Sequence, residues 1–323
     1  MIKKFIYTTI VLLLFAYFSL AQQQATFTNF LLNDYFYNPA IAGSKKVHVA
    51  NLSYRNQWTG FEGAPNTLIG NFYGSLRNEG KHGYGLSILN DRAGLAQSTA
   101  IYLNYAYHIK LSKEIKLGLG FQPGYLQYRV KLYDARLADA GDDVLTGNIL
   151  SANALDLNSG FHLYSPKFFV MGAMQQILGK EIQFTTYNNN LAKHFTLLGG
   201  YNIKLDSAKM LLQPTLLVRY VKPAPAQIGI MLKATYDKKY WAGISYRTSD
   251  AMSVCIGYNL KERLSVGYGY DYSVSGIRKF NSGSHEIVIS FITTPKKPSL
   301  DEMDEKLNNR IMDQNKLDVK EKY

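Results

Sequence analysis

The chain has 323 residues, with 25 Tyr against 24 Asp and Glu together, 26 Gly, 1 Cys and a formal net charge of +12. Hydrophobic residues reach 46%, too many for a disordered chain, and one cysteine excludes a disulfide framework and a thiolate zinc site. Charged residues make up only 19%, fewer than the usual quarter, so abundant Tyr and Gly point to a β-protein in an unusual solvent.

Residues 1–21 read as a secretory signal peptide. Lys3 and Lys4 form its positive start, Phe5 to Leu20 its apolar stretch, and Ser19-Leu20-Ala21 its cleavage pattern. No Cys follows, so the chain is not expected to be a lipoprotein. Loss of Lys3 and Lys4 lowers the charge from +12 to +10. The remaining basic residues are scattered and form no recognition helix, which argues against nucleic acid as a partner. Residues 22–45 form a pre-barrel segment. In it, Asn38 precedes Pro39, which fixes a turn, and Gly43 allows a left-handed one.

From Val47 to Ile292 the dominant period is two. Ile101, Leu103, Tyr105 and Tyr107 alternate with Tyr102, Asn104, Ala106 and His108. Leu264, Val266, Tyr268, Tyr270 and Tyr272 alternate with Ser265, Gly267, Gly269 and Asp271, and Met252, Val254, Ile256 and Tyr258 with Ser253, Cys255 and Gly257. Such alternation suits either a soluble sandwich or a membrane barrel with its apolar face in lipid. Strands of nine to eleven residues with aromatics near their ends favour the barrel. The expected fold is all-β: a transmembrane outer-membrane β-barrel over 46–294 with about 14 antiparallel strands. These fall near 46–55, 66–76, 83–91, 96–109, 114–128, 154–164, 168–177, 193–204, 210–221, 226–236, 240–247, 251–260, 264–273 and 284–293. An even count places both termini in the periplasm.

Ser53 to Thr67 links the first two strands. Tyr54, Arg55, Trp58, Phe61 and Asn66 in this stretch are the candidate partner-binding residues, since Tyr, Trp and Arg dominate protein–protein hot spots. A self-packed loop that plugs or caps the barrel is the equal alternative. Asn90 and Asp91 are expected to open the turn that ends at Gly94. Lys204–Lys209, Asp237–Lys239 and Lys261–Arg263 look like tight turns. The connection 129–153 holds Asp139-Ala-Gly-Asp-Asp143, which lacks the final ligand of a calcium loop and reads as solvated. His108, His162 and His285 suit a lumen or girdle role, and Cys255 a small luminal packing role. No catalytic or phosphate-loop motif occurs, so no enzyme, metal or cofactor is expected. After Pro295 the chain becomes a short charged helix or periplasmic tail, 295–323, opened by the Ser299/Glu302 capping box.

Four stretches carry a family resemblance: Phe30 to Ser44, Tyr54 to Pro65, His82 to Asp91 and Ile101 to Tyr107. Together they resemble the PorP/SprF family of outer-membrane proteins of the type IX secretion system in Bacteroidota, including gliding species. The resemblance runs from about Ala25 to Ile292. It implies a non-enzymatic component that binds the C-terminal domain of a secreted cargo or adhesin and supports its secretion and surface attachment. The implied partners are that domain, the type IX translocon, outer-membrane lipids and periplasmic ring lipoproteins. An outer-membrane anchor for that ring and a passive porin are the alternative functions.

Overall fold

The period-two segments close into a barrel in the structure, a computed structural model that describes residues 26–78, 80–131, 149–179, 181–183, 188–261 and 263–293. The signal segment, the acidic stretch 139–143 and the charged tail lie outside the described residues. The strands are β1 (Val49–Asn56), β2 (Asn66–Ser75), β3 (His82–Ala93), β4 (Ala96–Lys110), β5 (Lys116–Lys131) and β6 (Ile149–Tyr164). Then follow β7 (Phe168–Gln175), a small separate hairpin of β8 (Glu181–Gln183) and β9 (Asn188–Asn190), β10 (His194–Tyr201), β11 (Ile203–Leu205) and β12 (Met210–Val221). The last five are β13 (Gln227–Tyr236), β14 (Tyr240–Arg247), β15 (Ala251–Leu260), β16 (Leu264–Ser273) and β17 (Ser284–Ile292).

Fifteen of these segments form one sheet, and β10 and β11 are two parts of a single spanning strand, so the barrel has fourteen strands. Neighbours pair antiparallel in chain order, and β1 closes on β17 with Arg55 opposite Glu286. Closure removes the exposed edges that lipid cannot hydrate. The break at Asn202 has a local cause. Pro214 on β12 has no N–H to give, so pairing to the neighbouring strand stops at Thr215 on one side and Leu212 on the other. The Gln213 amide bridges the gap to Asn202 Oδ1 at 2.9 Å. Pro123 interrupts the β4–β5 ladder in the same way, between the pairs Tyr102–Gly124 and Tyr105–Phe121.

The outer face is apolar around most of the wall. On β15, Met252, Val254 and Ile256 are each more than half exposed while Ser253 and Cys255 are buried inside. Cys255 packs in the lumen and its thiol lies 3.5 Å from Gly243 O. This polarity inverts at one end. There β3 to β6 extend past their neighbours and point Asn90, Gln97, Arg129, Ser151 and Asn153 outward. Their inner face carries Ala100, Tyr102, Leu126, Ala152 and Ala154, which pack with Leu191 as a second apolar core. The extension is therefore built like a soluble sheet, wet outside and dry inside.

Several boundaries differ from those read in the sequence. The first strand starts at Val49, β5 runs to Lys131, and β6 begins at Ile149. Asn90 and Asp91 do not form a turn. They lie within β3, where the Asn90 amide reaches Thr99 Oγ1 at 3.0 Å and the Thr67 hydroxyl donates to Asp91 at 2.6 Å. The turn is the pair Gly94-Leu95, with Gly94 at φ 57°. At Asp237 and Lys238, φ values of 46° and 55° make the tight twisted turn that suits a two-stranded hairpin.

Connections at the two rims differ in length. One rim carries 57–65, 222–226 and 274–283 and is where β5 ends at Lys131 and β7 at Gln175, and the other carries mainly short turns such as 165–167, 206–209 and 237–239. Both ends of the wall, Val49 and Ile292, sit at the short-turn rim.

Outward Val254 sits mid-strand among apolar neighbours. Val254→Arg is expected to lower barrel stability by about 2–4 kcal/mol, the cost of a cation at the bilayer midplane. Urea titration of the barrel refolded in lipid vesicles measures it.

Candidate functional site

The lumen is occupied by the chain's own N-terminal segment. Phe27, Phe30, Tyr35, Tyr37, Ala40, Ile41 and Ala42 are all buried inside the wall. The segment runs through one short helical turn, α1 (Asp34–Tyr37), then a tight turn over Pro39–Ile41, and leaves through Gly43 at φ 82°. Gly43 faces Gly83 so closely that an added Cβ would lie 2.6 Å from the Gly83 Cα. On the wall, Gly120 and Gly160 face Ala40 and Asn38 with no room for a side chain. Inward-facing glycines thus let a folded chain lie directly on the sheet.

Polar wall groups hold the plug's backbone. Asn104 donates to Pro39 O at 3.0 Å, Gln175 to Phe36 O at 3.1 Å and His108 Nε2 to Ala42 O at 2.7 Å. The Tyr164 hydroxyl donates to His108 Nδ1 at 3.1 Å, which fixes that ring. Asn38 works in the other direction. Its amide donates to Phe161 O at 2.8 Å and Gly172 O at 3.1 Å, while its Oδ1 accepts from Ala40 N at 2.8 Å. His162 is also luminal, whereas His285 faces outward against Tyr268.

A buried charge network anchors the plug's start. Asp271 Oδ2 lies 2.6 Å from both Arg55 Nη2 and Arg247 Nη2. Arg247 Nε also reaches Asp250 at 2.7 Å, and Arg55 Nη1 lies 3.5 Å from Glu286. Arg55, Arg247, Asp271 and Glu286 are all 1% exposed or less. The plug completes the network. Arg55 donates to the Thr28 hydroxyl at 2.7 Å, and Glu286 accepts from Thr28 N at 2.6 Å, Asn29 N at 3.3 Å and the Asn33 amide at 3.1 Å. Charges this deep are costly unless paired and hydrogen-bonded, and within this network Arg55 Nε and Asp271 Oδ1 are still without a hydrogen-bond partner.

The long-loop rim above carries a different surface. Thr59 N donates to Gly283 O at 2.7 Å and Ser282 N to Thr59 O at 2.8 Å, which joins the 57–65 loop to the 274–283 loop. Gly94 N donates to Gly63 O at 2.8 Å, adding the β3–β4 turn. Phe61 is exposed here, and Phe280 is 67% exposed. Arg278 lies 4.7 Å from the Tyr272 ring centre. A shallow pocket of about 330 Å³ sits between Phe61, Asn66 and Arg92.

The five residues singled out for partner binding do not share one surface. Trp58, Phe61 and Asn66 belong to the rim. Tyr54 points outward into the aromatic girdle, and its hydroxyl donates to Asn66 at 3.0 Å. Arg55, next in sequence, points the opposite way and is enclosed in the lumen, because strand β1 continues to Asn56. The loop begins at Gln57, four residues later than the Ser53 its composition suggests. Arg247, Glu286, Phe280 and Arg278 were not singled out by the sequence. A charged residue at a luminal position of a strand was the available signal for the first two; nothing in the sequence marks the others.

The profile of the family described as type IX secretion system membrane protein PorP/SprF matches residues 19–291. No curated protein matches the chain in sequence. Among solved structures, the chain resembles a Pseudomonas aeruginosa FadL homologue at 10% identity and TM-score 0.44, covering 79% of this chain and 91% of that one. It resembles the Acinetobacter baumannii outer membrane protein Omp33 at 10% and 0.44, covering 78% and 100%. It resembles the Pseudomonas putida toluene transporter TodX at 8% and 0.46, covering 83% and 94%.

Arg55→Ala leaves Asp271 and Glu286 short of a buried counter-charge. A loss of about 3–5 kcal/mol is expected, the range for breaking one side of a buried pair. Denaturant titration reads the loss, and planar-bilayer recording should show more frequent open events as the plug loosens.

Proposed function

The chain belongs to the PorP/SprF family of type IX secretion system membrane proteins, and from that premise we propose that it is a closed, non-enzymatic platform that holds a secreted protein's C-terminal domain on its long-loop rim. It is an outer-membrane component of type IX secretion. The observation that carries the finer reading is the plugged lumen. A barrel whose interior is bonded to its own chain from β1 round to β17 has much of its lumen filled, which weighs against a passive porin. What remains for a partner is the rim.

In this reading the long-loop rim faces the outside. The short-turn rim and both ends of the wall face the periplasm, the asymmetry usual for bacterial barrels. Trp58, Phe61 and Phe280 supply apolar anchors, and Arg278 and Asn66 supply polar contacts around them. Such a mixture of aromatic and Arg groups suits a protein hot spot. The loops that bear them are tied to each other by backbone hydrogen bonds, so the surface is largely preformed and costs little ordering on binding. The type IX translocon delivers the cargo, and the barrel retains it by shape and contact.

Trp58→Ala combined with Phe61→Ala tests the site without touching the luminal network. The barrel is expected to keep its heat-modifiable folded form on gels, while the cargo fraction in the culture medium rises several-fold. Cargo that stays cell-attached in a folded double variant would overturn the rim as the binding surface. Wild-type protein in planar bilayers is expected to stay closed, and a steady large conductance would return the porin reading.

A further inference from the structure

Behind the plug, at the short-turn rim, lies a cavity of about 890 Å³. Seven Lys and Arg side chains line it against three Asp. Lys204 lies on β11, Lys209, Lys239 and Arg263 come from the turns between β11 and β12, β13 and β14, and β15 and β16, and Lys45 comes from the plug's exit. Asp237 is already paired with Lys239 at 2.8 Å.

Deeper in the cavity, on the luminal face of β13, sits Lys233, only 8% exposed. Its ammonium lies 4.7 Å from the Trp241 ring centre. Among the described residues no carboxylate lies within ion-pair distance of it, and the same holds for Lys45, Lys204 and Lys209. The nearest plug carboxylate to line the cavity is Asp34, which forms no such pair. Asp34 acts on Lys233 from beyond ion-pair distance, so this buried ammonium has no directly paired carboxylate and is an anion site in waiting, since desolvation without a close counter-charge is costly.

The rest of the lining is mixed, with Thr235, Asn259, Ser265 and Ser290 polar and the remainder apolar. Leu31 and Leu32 of the plug form the floor, with Val49, Tyr73, Leu211 and Leu264 on the wall. Leu31, Leu32 and Asp34 of the plug line the cavity, so an occupant that enters from the aqueous side meets the plug.

We propose that this recess docks an acidic peptide segment of a periplasmic partner. The segment's apolar side chains would rest on Leu31 and Leu32, one carboxylate would meet Lys233, and others would meet the rim lysines. Three features select a peptide over other anions. The volume lies within the range of specific ligand sites and exceeds what a phosphate fills. The apolar floor would stay wet under a small anion. The mouth opens to water and not to the bilayer, which disfavours a lipid. Cationic turns around the mouth would speed capture and make it salt-dependent. This docking lies at the opposite rim from the cargo surface and stands independently of it.

The test uses the full chain in detergent micelles and a fluorescein-labelled, Glu-rich peptide carrying two Leu, followed by anisotropy. Saturable binding that weakens with added salt is expected. Lys233→Met should weaken it about tenfold or more, as for loss of a buried charge partner. Lys204→Gln with Lys209→Gln, both on the rim and clear of the fold's core, should also weaken it and flatten the salt dependence. Equal binding of the same peptide with Lys in place of Glu overturns the proposal, as do unchanged affinities in both variants. Full displacement by low concentrations of inorganic phosphate would also overturn it, because the site would then be one for a small anion.

Discussion

Asp271 gives one carboxylate oxygen to two arginines, Arg55 from β1 and Arg247 from β14, and Glu286 stands beside them on β17. None of these groups reaches water, so each must find its partners inside. The wall cannot supply them all. Glu286 still needs donors, and it finds them in Thr28, Asn29 and Asn33 of the plug. Plug and wall are thus each the other's solvent. That mutual dependence explains the small inward residues, the amides aimed at the plug's carbonyls, and the plugged lumen on which the functional reading rests.

Most of the barrel is legible in the sequence because lipid demands an apolar residue at every second position. Where the strands leave the lipid, the demand ends and the signal fades. The first residues of β6, Ile149-Leu-Ser-Ala-Asn153, lack the apolar alternation and look like loop, although they pair with β5 in register. The same fading hides Asn90 and Asp91 inside β3. The period was also enough to sort Asp271 to the luminal side. It could not say which distant charge would meet it, because Arg55 and Arg247 arrive from strands far away in the chain.

The reading of Arg55 shows how a short motif misleads. Tyr54, Arg55 and Trp58 look like one recognition patch when read along the chain. Placed on a strand, Tyr54 and Arg55 face opposite solvents, lipid and lumen, and only Trp58 reaches the rim. Glycine was misleading in a milder way. Its luminal position follows from the period, but its purpose requires the plug: Gly83 and Gly120 are small because plug backbone lies on them, and Gly160 because the Asn38 side chain does. The rim's most exposed aromatic, Phe280, sits in a stretch with no periodicity at all.

Arg55 and Glu286 also face each other across the line where the first strand meets the last. The bond from Thr28 N to Glu286 joins residues 258 positions apart. A contact of that reach carries a heavy chain-entropy cost until nearly everything between is in order. The consequence is one of timing during biogenesis. The segment made first must wait beside an open sheet until the strand made last arrives, and sealing the cylinder and seating its contents then become a single event.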